Sequence, residues 1–159
     1  MKKIIAVTLV LILSLSVNAH ALDTFLLEMR DKFFEESKEI KSLFAESQDI
    51  IVLNNMWDSC IVTMNQLGAY FFMIGIFNTI KAEDMTQEAI DYLKGWLDEV
   101  NKANTKNIAK LNSFAQKVDA RTVLHVEKLK LLYIDLNNVI DAELKNISLI
   151  ESAFKLRKQ

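Results

Sequence analysis

The stretch that decides the fold is Ser59–Ile80, SCIVTMNQLGAYFFMIGIFNTI, 22 residues without a charged side chain, bracketed by Asp58 and Lys81. A run this apolar must be hidden from water, in protein or in lipid. Ile50, Leu53, Trp57, Cys60, Met64, Leu67, Phe71 and Ile74 recur at alternating steps of three and four, the spacing of a helix face packed in a bundle. The remaining faces between Leu67 and Phe77 are apolar too (Tyr70, Phe72, Met73, Ile76), and a helix apolar all round is buried on every side or lies in a membrane. Gly68 and Gly75, seven apart and so on one face, predict another helix passing close by. The expected best-buried element is therefore a helix from about Ile50 to Lys81, with Leu67, Gly68, Phe71, Phe72, Ile74 and Gly75 at its heart.

The same spacing continues on both sides. Upstream it reads Leu26, Met29, Phe33, Glu36, Ile40, Leu43; downstream, Ile90, Leu93, Leu97, Val100, Asn104, Asn107, Leu111, Phe114, Val118. A last run takes Val126, Leu129, Tyr133, Leu136, Ile140, Glu143, Ile147, Ile150 and Phe154. Ala82-Glu83-Asp84 and Asp119–Thr122 are turn signals, with Asp84 or Thr86 placed to cap the third helix and Asp119 or Thr122 the fourth. Ser47-Gln48-Asp49 is a weaker break, because neither glycine nor proline enforces it. With no proline and three glycines in 159 residues, the chain lacks the turn residues a β-rich domain needs. The expected fold is all-α: an up-and-down antiparallel bundle of four long helices, the first over about 24–46. The alternative is a long helical hairpin or coiled-coil rod, in which 24–81 is one helix of roughly 85 Å.

The N-terminus has the pattern of a bacterial signal peptide. Lys2 and Lys3 precede an apolar Ile4–Leu15 segment, and Ala19-His20-Ala21 is an A-x-A cleavage site. Cleavage after Ala21 divides the chain into a signal at 1–21 and a single helical domain at 22–159, and it predicts a periplasmic or secreted protein. It also removes two lysines and no acids, leaving a mature charge of about −4. No basic patch suggests nucleic acid. Cys60 has no partner within the mature chain and reads as a small buried hydrophobe, with an intermolecular disulfide as the alternative.

Antiparallel topology aligns the polar interruptions of the four runs. A turn near 83 sets Asn104 and Asn107 opposite Thr63 and Cys60, a turn near 120 sets them opposite Asn137 and Tyr133, and a separate first helix brings Glu36 level with Cys60. The expected layer is Glu36, Cys60, Thr63, Asn104, Asn107, Tyr133 and Asn137. Its plain reading is a register device, since buried asparagines specify helix pairing at a cost in stability; its functional reading is a site for a small polar ligand or ion.

The familiar catalytic and cofactor patterns are missing. There is no C-x-x-C-H, no paired E-x-x-H and no phosphate loop, and His125 is the one histidine of the mature chain. A haem between Met29 and His125 is disfavoured, because each begins a helix at opposite ends of an up-and-down bundle; His125 reads as a capping or flanking residue. We expect no catalytic residues, cofactor or metal. The functional expectation is a non-enzymatic binding module for a protein partner or small ligand, with self-association open. The alternative is membrane association or insertion through 59–80, whose length suits a ~30 Å apolar core; Asn65, Gln66 and Asn78 argue against it.

Overall fold

A computed structural model of the chain describes residues 24–80 and 84–157. The proposed signal segment 1–21 lies outside the described residues. The fold is all-α: four helices, α1 over 24–43, α2 Ile50–Thr79, α3 Gln87–Ala115 and α4 Ala120–Arg157. Side-chain contacts give the order. α1 runs antiparallel to α4, with Glu39 bonded to Lys128 and the Phe33 ring 5.1 Å from that of Tyr133. α2 is antiparallel to α3 through Lys110–Asn55 near one end and Tyr70–Trp96 nearer the other. α3 pairs with α4 along their length, through Asn104–Asn137 and Lys94–Glu151. The result is an up-and-down four-helix bundle, in which α2 and α4 face each other diagonally.

The weak break at 47–49 separates α1 from α2, so the continuous rod does not form. The chain turns as the Glu46 and Ser47 N–H groups fold back on the Leu43 carbonyl. Two acids then tie this turn to the one before α4. Asp49 accepts the Asp119 backbone N–H at 3.0 Å, and Ser47 donates its hydroxyl to Asp119 while accepting the Asp49 N–H. Asp119 caps α4 by accepting from the Thr122 and Arg121 N–H groups at 2.8 and 2.9 Å. Those backbone bonds, led by that from Thr122, hold its carboxyl below the ordinary carboxylate range. Arg121 reaches across to Glu46. At the start of α3, Thr86 caps by accepting the Ala89 N–H.

Leu26, Met29, Phe33, Glu36, Ile40 and Leu43 are all buried, and so are most of the expected positions on α3 and α4. α2 differs. Its buried stripe is Leu53, Met56, Cys60, Thr63, Leu67, Tyr70 and Ile74, so Met56, Thr63 and Tyr70 replace the expected Trp57, Met64 and Phe71. Ile50 is exposed, Phe71 is 39% exposed and Phe72 68%. The physical reason lies in the partners. Rotated this way, α2 hands the Thr63 hydroxyl to Tyr133 and stacks Tyr70 on Trp96 at 5.2 Å. No charged residue after Asp58 holds the opposite face outward.

Two expectations for α2 are thereby corrected. The helix is not buried on all sides. Gly68 and Gly75 face outward, and among the described residues a Cβ built on either meets nothing within 4 Å, so none of the other three described helices passes over them.

Candidate functional site

The polar layer assembles from α2, α3 and α4. Thr63 and Tyr133 share a hydrogen bond of 2.9 Å across the bundle, and the Tyr133 hydroxyl is also 3.2 Å from the Ser59 carbonyl, to which it can donate. Asn107 reaches the same hydroxyl. Burial nevertheless dominates and raises the Tyr133 pKa, so the phenol stays neutral. Asn104, wholly buried, donates to the Asn137 carbonyl oxygen at 2.9 Å; Asn137 in turn lies 3.4 Å from the Thr105 hydroxyl. Among the described residues, the Asn104 side-chain oxygen has no hydrogen-bond partner. Cys60 lies beneath this layer, fully buried, its thiol pushed up to about 12 by burial and then by Glu36. A thiol so placed stays protonated and closed to disulfide exchange in the folded chain.

The seven residues do not form one pocket. Thr63, Tyr133 and Asn107 share one set of bonds, Asn104 and Asn137 another, and Cys60 is buried near Tyr133 and Glu36. Glu36 belongs to an ion-pair cluster between α1 and α4. Its side chain is 0% exposed, yet its carboxyl oxygens lie 2.7 Å from His125 Nδ1 and 2.6 Å from Lys128 Nζ. Glu39, one turn on, meets the same lysine at 2.9 Å. Hydrogen bonds that Lys128 donates to Glu36 and Glu39 raise its pKa, and Lys128 lowers that of Glu39. His125 is therefore no flanking residue: it seals the top of a buried carboxyl. Sequence reading missed it because the Glu36–His125 contact is 89 residues long in the chain. The i, i+3 pairs Glu36/Glu39 and His125/Lys128 were the available signal, facing acid stripe to basic stripe.

Ligand atoms of Glu36, Glu39 and His125 lie within 4.8 Å of one another, a donor set that suits a divalent cation. The Lys128 ammonium already stands against both carboxyl groups, so a metal ion there would have to displace it. The interior offers little room for anything larger. A void of about 10 Å³ beside Tyr70 and Trp96 holds at most about one water. The cleft of about 200 Å³ at the tied turns is open and lined by Glu46, Asp119 and Arg121, which bond one another or their neighbours.

The surface of α2 is the unusual feature. Directly opposite its buried stripe run Val62, Asn65, Ala69, Phe72 and Ile76, all exposed. Within Ile50–Phe77 the most apolar 18-residue window has a mean hydropathy of 1.6, and 28% of it is buried. Exposed leucines on α4 are different, because Leu124, Leu131 and Leu149 alternate with Glu127, Asp135 and Lys145.

Comparison with known proteins adds no relative: no protein-family model, no curated protein and no solved structure matches the chain. The described residues define an acidic four-helix bundle whose interior polar groups are mostly bonded to one another and whose second helix has an uncharged outer face after Asp58.

Proposed function

We propose that this protein is a secreted or periplasmic, non-enzymatic interaction module whose working surface is the outer face of α2 and whose partner is a protein. One observation carries the reading: Phe72 and Ile76 stand 68% and 49% exposed on a helix face with no charge between Asp58 and residue 80. Leaving such a face in water costs free energy that a docked partner recovers. The interior supports the same reading, since most of its polar groups bond one another, and the void beside Tyr70, about 10 Å³, is too small for a ligand.

A photo-crosslinking side chain at Phe72, in the cells that make the protein, tests this. Protein adducts at Phe72 that are absent from a control at Leu131 are the expected result. No adduct at either position overturns the reading. Mass analysis of the purified protein tests the localisation, with a mature chain beginning at Leu22 expected in the periplasm or medium.

The low burial of the Ile50–Phe77 window favours a second reading, attachment to a membrane surface. Full insertion of α2 would strip Cys60, Leu67 and Ile74 of their cover and break the Thr63–Tyr133 bond, so attachment would use the outer face only. Lipid adducts at Phe72, with flotation on vesicles, would favour it.

A further inference from the structure

We propose that the partner seated on this face is a second copy of the chain, packed α2 against α2, antiparallel, about a two-fold axis at Ala69. The proposal rests on the reading of this face as a docking surface.

Electrostatics select both the face and the direction. The protein is net acidic, so two copies repel except where neither presents charge. From residue 59 to 80 α2 presents none. The stripe Val62, Asn65, Ala69, Phe72, Ile76 has the three-and-four spacing by which helices pack lengthwise, and it lies opposite the stripe already used inside the bundle. Asp58 ends it on one side and Thr79 on the other. Parallel packing would set Asp58 against Asp58. Antiparallel packing carries each Asp58 to the partner's Thr79 and opposes the helix dipoles.

The register follows from size. In an isologous contact each residue pair occurs twice. With Ala69 on the axis, Val62 meets Ile76 and Asn65 meets Phe72, while on the flank Gly68 meets its own counterpart and Gly75 receives Ile61. This also accounts for the two glycines. Neither has a positive φ, and no described atom would meet a Cβ on either within 4 Å, so nothing among the described residues requires glycine over a better helix former. A close axial approach of a second helix does. A stripe of roughly 33 Å along one helix is small for an interface, which sets the dimer in the micromolar range.

Sedimentation of the mature chain from about 1 to 300 μM tests the proposal, with a concentration-dependent dimer expected. Gly68→Leu should weaken dimerisation at least tenfold while leaving the melting temperature of the dilute monomer unchanged or higher, because among the described residues no atom lies within 4 Å of a Cβ there. Phe72→Lys/Ile76→Lys should do the same. On oxidation, Ala69→Cys should give a disulfide-linked dimer and Asn65→Cys should not, since antiparallel packing separates the two Asn65 positions; Cys60 is buried and does not compete. Efficient linking by Asn65→Cys overturns the antiparallel arrangement. A monomer throughout the range overturns self-association. In that event, adducts of Phe72 with a different protein leave the docking-face reading standing, and flotation on phosphatidylcholine/phosphatidylglycerol vesicles assigns the face to lipid.

Discussion

Replacing Lys128 by methionine keeps its aliphatic stem and removes the charge that faces Glu36, whose side chain is 0% exposed. At 2.6 Å and an effective dielectric of about 20, the attraction of two unit charges is roughly 6 kcal/mol. Most of that is offset by desolvating Glu36 and by the solvent that screens Lys128, whose side chain is 49% exposed. His125 remains as a second partner. We therefore expect Lys128→Met to cost roughly 2–3 kcal/mol, a fall in melting temperature of about 5–10 °C. Glu36→Gln/Lys128→Met removes both charges and should recover much of that loss. Urea unfolding of the wild type, the two single variants and the double variant closes a cycle with a coupling of roughly 1.5 kcal/mol or more. A coupling below about 0.5 kcal/mol would refute the argument, because it would equate this pair with an exposed one. The pH dependence has a definite sign. Glu36 and Glu39 raise the Lys128 pKa above its ordinary 10.5, so its contribution is complete below 10.5 and is lost as pH rises through the folded value. The gap between wild type and Lys128→Met should close in strong alkali.

Three further outcomes are expected. Burial raises the pKa of Glu143, partly opposed by Asn146, so its ionised form weakens the fold at neutral pH; Glu143→Leu should stabilise by on the order of 1 kcal/mol at pH 7, and the gain should shrink as pH falls through the ordinary carboxylate range. Asn137→Leu orphans the buried Asn104 amide and should cost about 1–3 kcal/mol in urea unfolding, whereas Asn104→Leu leaves only the half-exposed Asn137 to be rehydrated and should be neutral or stabilising. Asp119→Ala should lower the melting temperature by removing the α4 cap and the tie to Ser47, and Asp119→Asn should restore part of it. Because backbone bonds, first from Thr122, lower its pKa, the Asp119 contribution is present above pH 3.8 and should vanish as pH falls below it.

Where a helix carries charges on its outer side, its buried side was legible. α1 alternates Arg30, Asp31, Lys32 and Glu35 with its seam, and every predicted seam residue is buried. The Asn104–Asn137 pair followed from turn positions, because antiparallel neighbours share a fixed sum of residue numbers, and applying that rule on both sides of α3 brings Thr63 and Tyr133 to one level. On α2 the same method slipped by one position. That helix is apolar all round after Asp58, so a stripe through Trp57, Met64 and Phe71 fits the spacing as well as one through Met56, Thr63 and Tyr70. The choice between them is made by the Tyr133 hydroxyl on α4, which bonds Thr63, and the Trp96 ring on α3, which packs on Tyr70, and a single helix reveals neither. The break at 47–49 was legible only as a weak signal for a related reason: its strength comes from Asp119, some 70 residues away. The Glu36–His125–Lys128 cluster stayed hidden because neither of its halves is unusual alone.

The tie between the two turns has a further consequence for how the bundle breathes. Asp49, Ser47 and Glu46 bind Asp119 and Arg121, and the Glu36 and Glu39 contacts follow within three turns on α1, so polar cross-links between the two hairpins crowd one end. At the other end, among the described residues, the bonds Gln87–Glu151 and Lys94–Glu151 join only α3 to α4. Partial opening is then polarised like a clothes-peg with its spring at the tied turns. Amide deuterium uptake along α2 should rise from Leu53 toward Thr79, so the stretch bearing Phe72 and Ile76 belongs to the earliest-opening part of the molecule.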